Sequence, residues 1–335
     1  MKYQTEIQSR RNFIENCGAG LASVACPSQN LHAIDSVKAR IAITLDLEMS
    51  RNFPTRETMH WDYEKGNLDK QAKQYSVEAA RVVRQAGGKV HYFLVGRVLE
   101  QEDVSWIQEI VKLGHPVGNH TYDHVNVTAK NAKDLQFRFQ RAPWLLRNMS
   151  VPDAIRDNIE LTDRAMKSRL GIQSNGFRTP GGFNDGLKRE SQVRKMLKSL
   201  GYSWVSSLYP AHPYTKPKEK PSEQIVSDIV AAMQQSQPFQ YDDGLIEIPM
   251  SPISDIGAFR NCQWKLDWFI EMIEKCLEWA IENRAVFDFL AHPSCLGIVD
   301  QEMKTIRRIC EIVSKNSDKA EIVGLDTIAE RFRRG

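Results

Sequence analysis

The chain has 335 residues, of which 41% are hydrophobic, 9% aromatic and 26% charged. These fractions are ordinary for globular proteins and exclude a disordered chain, a collagen-like repeat and a coiled-coil rod. The formal net charge of +3 gives no basis for nucleic-acid binding. With a mean hydropathy of −0.45, the sequence has no run of 18 apolar residues that would predict a transmembrane helix.

Residues 1–33 have the pattern of an export signal. A pair of arginines, Arg10 and Arg11, precedes a short segment of small and apolar residues that ends near Ala33. This pattern predicts a twin-arginine signal, which directs a folded protein to the periplasm or the cell exterior. The mature domain would then comprise residues 34–335. The alternative is an amphipathic first helix in which the two arginines are incidental.

Beyond this segment, short apolar segments alternate with longer segments of helical periodicity. The predicted strands are 40–46, 89–95, 116–119, 175–178, 202–206, 245–248, 286–291 and 321–324. The predicted helices cover about 73–86, 102–113, 153–170, 187–200, 222–235, 263–283, 301–315 and 325–332. Seven or eight strand–helix units in one chain predict an α/β fold with a parallel sheet, and favour a barrel over an open sheet.

Three long segments interrupt this alternation, namely 49–72, 129–152 and 208–221. Loops of this length in a barrel typically form the walls of a functional site.

Four cysteines follow the predicted signal: Cys262, Cys276, Cys295 and Cys310. No two of them form a CxxC pair, which excludes a zinc ribbon or a thioredoxin-like motif. Pairing in an exported protein stays open, because the sequence does not say which would pair with which. Most of them lie in periodic apolar segments, which favours buried free thiols.

Polar residues of the kinds used in catalysis lie at the ends of several predicted strands. Asp46 and Glu48 end the first strand, where alternation places both side chains on one side. Two carboxylates at the end of an apolar strand are costly unless a cation or a reaction needs them, although a strand end reaching solvent would also tolerate them. His120 and His124 follow the third strand. If a helical turn begins there, both imidazoles share a face and can bind one ion.

Two further residues end later strands. Arg178 forms either a structural ion pair or a clamp that orients a carboxylate. His292 is either a buried core histidine or a proton donor. Because barrel enzymes gather their chemistry at the carboxyl ends of their strands, these residues are expected to lie around one pocket.

The motifs and their order resemble the NodB-type polysaccharide deacetylases, carbohydrate esterase family 4. The resemblance rests on residues 44–48, 114–124, 178–180 and 290–292, and it spans about 40–295. It implies a distorted (β/α)7–8 barrel that hydrolyses acetyl groups on N-acetylated glycans with a divalent cation, zinc being the expected ion.

Site roles follow from the resemblance. The implied metal ligands are Glu48, His120 and His124, and the implied catalytic residues are Asp46 as base, Arg178 as its orienting partner and His292 as acid. The family usually has two adjacent aspartates, whereas Leu47 occupies the second position here and Glu48 is the natural substitute.

Substrate contacts are predicted from Thr179, Pro180 and Gly181, whose backbone lies near the developing oxyanion, and from Trp61. Trp61, with Phe53 and Tyr63, would stack on sugar rings, although packing into the barrel rim is the alternative. Two other functions stay open: a metal-independent hydrolase of a small cyclic amide or ureide, and a non-catalytic glycan-binding protein.

Overall fold

Nine strands form one sheet in the part of the chain that the computed structural model describes, residues 38–59 and 63–334. They are Ala39–Leu47 (β1), Val90–Leu94 (β2), Val117–Asn119 (β3), Gly176–Phe183 (β4), Trp204–Leu208 (β5), Phe239–Gln240 (β6), Ile246–Glu247 (β7), Val286–Ala291 (β8) and Ala320–Ile322 (β9). The strand order is β6-β7-β5-β4-β3-β2-β1-β8, and β9 pairs with the first residues of β1. All pairs are parallel except β6 with β7.

Eleven α-helices accompany these strands among the described residues. They are Lys70–Gln85 (α1), Ser105–Lys112 (α2), Ala132–Leu135 (α3), Phe137–Arg141 (α4), Val151–Leu170 (α5), Ser191–Ser199 (α6), Glu223–Gln234 (α7), Leu266–Glu282 (α8), Pro293–Val299 (α9), Lys304–Lys315 (α10) and Leu325–Arg334 (α11). A π-helical turn, Ile256–Asn261, precedes α8. The sheet curls into a half-barrel, which confirms the predicted α/β class and distorted barrel.

Local sequence explains where these elements begin and end. The hydroxyl of Ser150 accepts a hydrogen bond from the N–H of Asp153 at the start of α5. The same helix ends at Gly171, whose φ of +69° is accessible to glycine at little cost. In β1 every residue from 41 to 47 is buried, as expected for a parallel strand that is covered on both faces.

The predicted elements agree with the structure except for the shortest ones. Each of the eight predicted strands and eight predicted helices has a counterpart. The two-residue edge strand β6 and the short helices α3, α4 and α9 were not predicted, because segments this short are too short to show a recurring apolar pattern.

The four cysteines that follow the predicted signal are buried and unpaired. This agrees with their interpretation as buried free thiols. Phe53 is also buried in the main core, which agrees with the packing alternative for that residue. Among the described residues, no helix is both long enough and apolar enough to cross a membrane. The predicted signal, residues 1–33, lies outside the described residues, so the domain boundary stays a prediction.

Sheet register determines which strand ends meet. Leu45 of β1 pairs with Ala291 of β8, so His292 follows directly beside Asp46. Asn119 of β3 pairs with Phe177 of β4, which places His120 beside Arg178.

Candidate active site

A cavity of about 340 Å³ opens at the carboxyl ends of β1, β3, β4 and β8. The predicted site residues among its lining are Asp46, Glu48, His120, His124, Thr179, Gly181 and His292. Arg178 is fully buried beside it. Pro180 is buried but does not line the cavity, and Trp61 lies outside the described residues.

Glu48, His120 and His124 form a candidate metal site. Each offers one ligand atom, and these atoms lie within 4.8 Å of one another. Oε2 of Glu48 lies 2.6 Å from Nε2 of His124, yet this buried oxygen has no hydrogen-bond donor in the described structure. A buried carboxylate oxygen without a donor is costly, and a cation would satisfy it. One carboxylate and two imidazoles are a donor set that zinc accepts.

The hydrogen bond made by His120 fixes which of its nitrogens faces the cavity. Nδ1 lies 2.9 Å from the backbone oxygen of Arg178. Because a carbonyl oxygen only accepts, Nδ1 must carry the proton, which leaves the lone pair of Nε2 free for a ligand bond. Nε2 lies 3.8 Å from Oδ2 of Asp46, on the side of the acidic pair.

The segment from His120 to His124 corrects one expectation. It does not form a helical turn; it forms an irregular turn in which Thr121 and His124 have φ values of +58° and +59°. The two imidazole rings still meet, with centroids 5.1 Å apart. Side-chain contacts hold the turn: Oδ1 of Asn119 accepts from the N–H of Thr121, and the hydroxyl of Thr121 accepts from the N–H of Val125. The helical expectation is wrong because these contacts outweigh the preference for a regular turn.

Arg178 links the base candidate to a second carboxylate. Its Nη1 donates to Oδ1 of Asp46 at 3.2 Å and to the hydroxyl of Thr44 at 2.7 Å. Its Nη2 donates to Oδ2 of Asp288, and its guanidinium lies 4.4 Å from the centroid of the Phe93 ring. Arg178 therefore pairs with two carboxylates, one of them Asp46, and its role in orienting a catalytic base stays a prediction.

His292 is held by a residue of the loop after β7. Nδ1 of His292 lies 2.9 Å from Oδ1 of Asp255, and Oδ2 of Asp255 accepts a 2.7 Å hydrogen bond from the backbone N–H of His292. The opposite nitrogen, Nε2, lies 3.7 Å from Oε1 of Glu48 and 4.0 Å from Oδ2 of Asp46. One nitrogen is thus anchored and the other is presented to the cavity.

Burial and neighbouring charges shift the pKa values of the acidic and imidazole groups that face the cavity. Burial raises the pKa of Asp46 to about 6, although Arg178 opposes the shift. Burial lowers the pKa values of His120 and His124, which favours the neutral imidazoles that metal ligation requires. For His292 burial also acts downward, but Asp255, Asp46 and Glu48 outweigh it and raise its pKa.

The pKa of Glu48 shifts downward, in contrast to that of Asp46. Burial favours its neutral form, but the electrostatic attraction of the adjacent His124 imidazole and the charge of Lys65 outweigh burial and hold the pKa of Glu48 well below its usual value. Nζ of Lys65 donates to Oε1 of Glu48 at 3.0 Å. The carboxylate is therefore ionised, with one oxygen bound to Lys65 and the other facing the imidazoles.

The sequence prediction missed Lys65, Asp255 and Asp288. Asp288 had a signal, because it is the one charged residue inside the apolar strand β8. Asp255 and Lys65 lie in loops where no periodic pattern marks them.

Comparison with known proteins finds a partial match to one family model. Residues 62–205, less than half of the chain, match the family model described as polysaccharide deacetylase, and this match includes both histidines and Arg178. No curated protein matches the sequence significantly.

Similar solved structures show the same fold. A provisionally assigned polysaccharide deacetylase from Mycobacterium smegmatis is 18% identical, with a TM-score of 0.60 over 89% of this chain and 91% of that chain. The Puue allantoinase is 12% identical, with a TM-score of 0.61 over 90% and 92%. A protein from Pseudomonas aeruginosa PAO1, also provisionally assigned as a polysaccharide deacetylase, is 12% identical, with a TM-score of 0.60 over 90% and 92%.

At these sequence identities the solved structures establish the fold alone. The family model adds a sequence match over the segment that contains His120, His124 and Arg178. The chain therefore has the fold of these proteins, and residues 62–205 resemble polysaccharide deacetylases in sequence.

Proposed function

We propose that the chain is a metal-dependent hydrolase that removes acetyl groups from an N-acetylated carbohydrate. The observation that carries this proposal is the meeting of ligand atoms from Glu48, His120 and His124 within 4.8 Å. Asp46 and His292 flank that site at 3.8 Å and 3.7 Å from its residues.

Glu48, His120 and His124 would hold the cation, and zinc fits their nitrogen and oxygen donors. When bound, a divalent cation polarises an acyl carbonyl and lowers the pKa of a coordinated water.

Asp46 is the proposed general base. Its Oδ1 is held by Arg178 at 3.2 Å, so Oδ2 is the atom that accepts the proton of the attacking water. With a pKa of about 6, Asp46 is mostly ionised at neutral pH and is a stronger base than an ordinary aspartate.

His292 is the proposed general acid. Asp255 occupies Nδ1, so Nε2 delivers the proton to the departing nitrogen. The raised pKa of His292 keeps the imidazole protonated nearer to neutrality. The acid and the base thus act from two neighbouring strands.

The backbone near Thr179 and Gly181 is the proposed oxyanion site. Both residues line the cavity, and the hydroxyl of Thr179 donates to the backbone oxygen of Gly181 and restrains this part of β4. Backbone N–H donors of this kind contribute about 3 kcal/mol to transition-state stabilisation in comparable enzymes. Stacking of Trp61 on a sugar ring stays a prediction.

The export signal is a separate proposal. We infer that residues 1–33 direct the folded protein out of the cytoplasm through the twin-arginine route. Replacing Arg10 and Arg11 together by lysine tests this, since the variant should accumulate as an uncleaved cytoplasmic precursor. Unchanged export of that variant would contradict it.

Acetate release tests the proposed activity. Purified protein is incubated with an oligomer of N-acetylglucosamine before chelation, after chelation and after zinc is restored. We expect release to cease on chelation and to return with zinc. His124→Ala should lose both bound zinc and activity. Glu302→Gln, at a side chain that is 77% exposed, is the matched control and should keep both. Full zinc stoichiometry in His124→Ala would remove this residue from the ligand set.

A metal-independent hydrolase of a small cyclic amide or ureide is the second candidate. It is favoured by Lys65, which already provides a counter-charge for Glu48 at 3.0 Å, and by a cavity of only about 340 Å³. Undiminished turnover of a cyclic ureide by zinc-free protein would favour this candidate. Binding of the oligomer without acetate release would instead indicate a non-catalytic glycan-binding protein.

A further inference from the structure

One wall of the cavity is a continuous segment that includes the π-helical turn Ile256–Asn261. Gly257 packs so closely there that an added Cβ would lie 2.9 Å from Cδ1 of Ile253. Ser254 accepts from the N–H of Gly257 and from the hydroxyl of Tyr209. π-Helical turns occur preferentially at functional sites. This segment also carries Asp255, so its position is coupled to that of His292.

Arg260 extends from this turn and lines the cavity. Arg260 as a whole is half-buried. Its hydrogen bonds are to the side-chain oxygen of Asn261 at 3.2 Å and to the backbone oxygen of Arg51 at 3.4 Å. No carboxylate of the described chain lies within ion-pair distance of it. A guanidinium that is fixed beside a cavity and unpaired is suited to bind a planar anion with two oxygens.

The charges around the cavity also favour an anionic ligand. The two acidic side chains of the lining are already paired, Asp46 with Arg178 and Glu48 with Lys65. Arg260 therefore adds a positive charge to the described lining that no described carboxylate balances. A bound divalent cation would add further positive charge. A neutral sugar would leave the guanidinium of Arg260 partly desolvated without a charged partner.

We propose that the substrate is an acyl amide that also carries a carboxylate group, and that Arg260 binds this carboxylate. That the substrate is an acyl amide rests on the proposed function. That it carries a carboxylate is argued from Arg260. Arg260 is then a specificity-determining residue, because it selects acidic substrates over neutral ones.

Two matched ligand pairs test the proposal: N-acetylmuramic acid and 2-acetamido-2-deoxyglucuronic acid, each compared with its methyl ester. Within a pair only the charge and one methyl group differ, and the two acids carry the carboxylate at different ring positions. Proton NMR of the acetyl methyl group reports binding through line broadening and hydrolysis through free acetate in the same sample.

For the wild-type chain we expect at least one acid to bind about 10- to 100-fold more tightly than its ester, as hydrogen bonds to charged groups are worth about 1.5–3 kcal/mol. Arg260→Gln should bring that ratio close to one, and Arg260→Lys should keep part of it. Arg307→Gln is the control for lost positive charge, since this exposed residue does not line the cavity, and it should keep the full ratio.

The two proposals fail in different ways. Equal binding of acid and ester in both pairs, no binding of either acid, or an unchanged ratio in Arg260→Gln would overturn the carboxylate inference. A clear preference for the acid with no free acetate would support the carboxylate inference and contradict the hydrolase proposal.

Discussion

Asp255 holds His292 at two points, through Nδ1 at 2.9 Å and through the backbone N–H at 2.7 Å. The carboxylate is fully buried and belongs to the same wall of the cavity as Arg260. One acidic side chain therefore sets the tautomer, the ring orientation and the backbone position of the proposed acid.

Asp255→Asn tests this relationship. The amide cannot hold the imidazolium as the carboxylate does, so we expect kcat to fall by about 10²-fold or more, while KM changes much less. Asp300→Asn is the matched control, because Asp300 is also a buried aspartate that accepts two backbone N–H groups, at the start of α10. An unchanged kcat in Asp255→Asn would show that His292 needs no carboxylate partner.

His292→Ala separates proton donation from other roles. An amine leaving group requires protonation, whereas 4-nitrophenolate does not. The steady-state rate of the variant with an N-acetylated sugar should therefore fall by about 10²- to 10⁴-fold. With 4-nitrophenyl acetate the loss should be far smaller. Steady-state rates with both substrates provide the comparison. Equal losses with the two substrates would assign His292 a role other than general acid.

Arg178→Gln tests how far the site also stabilises the fold. Arg178 is fully buried between Asp46 and Asp288, and its removal leaves two buried carboxylates without a cation. We expect the free energy of unfolding to fall by about 3–5 kcal/mol, as measured by urea denaturation.

Two further variants complete this test. Lys130→Gln, which removes a surface ion pair with Glu190, should cost less than about 1 kcal/mol. Asp288→Asn combined with Arg178→Gln should cost less than the sum of the single changes, since the two residues are in contact. Strict additivity, or a small loss in Arg178→Gln, would contradict the buried ion-pair account.

Thr121→Val tests the turn that brings the two histidines together. The hydroxyl of Thr121 accepts a 2.9 Å hydrogen bond from the buried N–H of Val125, and valine has the same shape without this acceptor. We expect a loss of about 1–3 kcal/mol in the free energy of unfolding and a weaker affinity for zinc. Thr121→Ser, which keeps the hydroxyl, should retain the zinc affinity. Unchanged zinc binding in Thr121→Val would mean that the turn does not depend on this contact.

The sequence predicts the strand ends of the site well, and for a physical reason. Parallel strands bring their carboxyl ends to one edge, so polar residues that follow apolar segments must meet there. Asp46 and Glu48 lie on one side because of alternation, and β8 brings His292 beside them. These residues were identified because their positions depend on strand periodicity alone.

The remaining residues of the site depend on loops, and no sequence period marks those. The left-handed conformations of Thr121 and His124 carry no glycine signal. Lys65 and Arg260 line the cavity, and Asp255 contacts His292, from segments distant in the sequence. Local patterns therefore indicate the proposed acid–base and ligand residues but not the residues that orient them.

The most direct test of the account is anomalous scattering at the zinc edge from a crystal of the full chain grown with zinc. The account predicts one strong peak about 2.0–2.2 Å from a carboxylate oxygen of Glu48 and a nitrogen of each of His120 and His124. A crystal with ordered side chains and no peak between these three residues, or with zinc bound only elsewhere, would contradict the proposed metal centre.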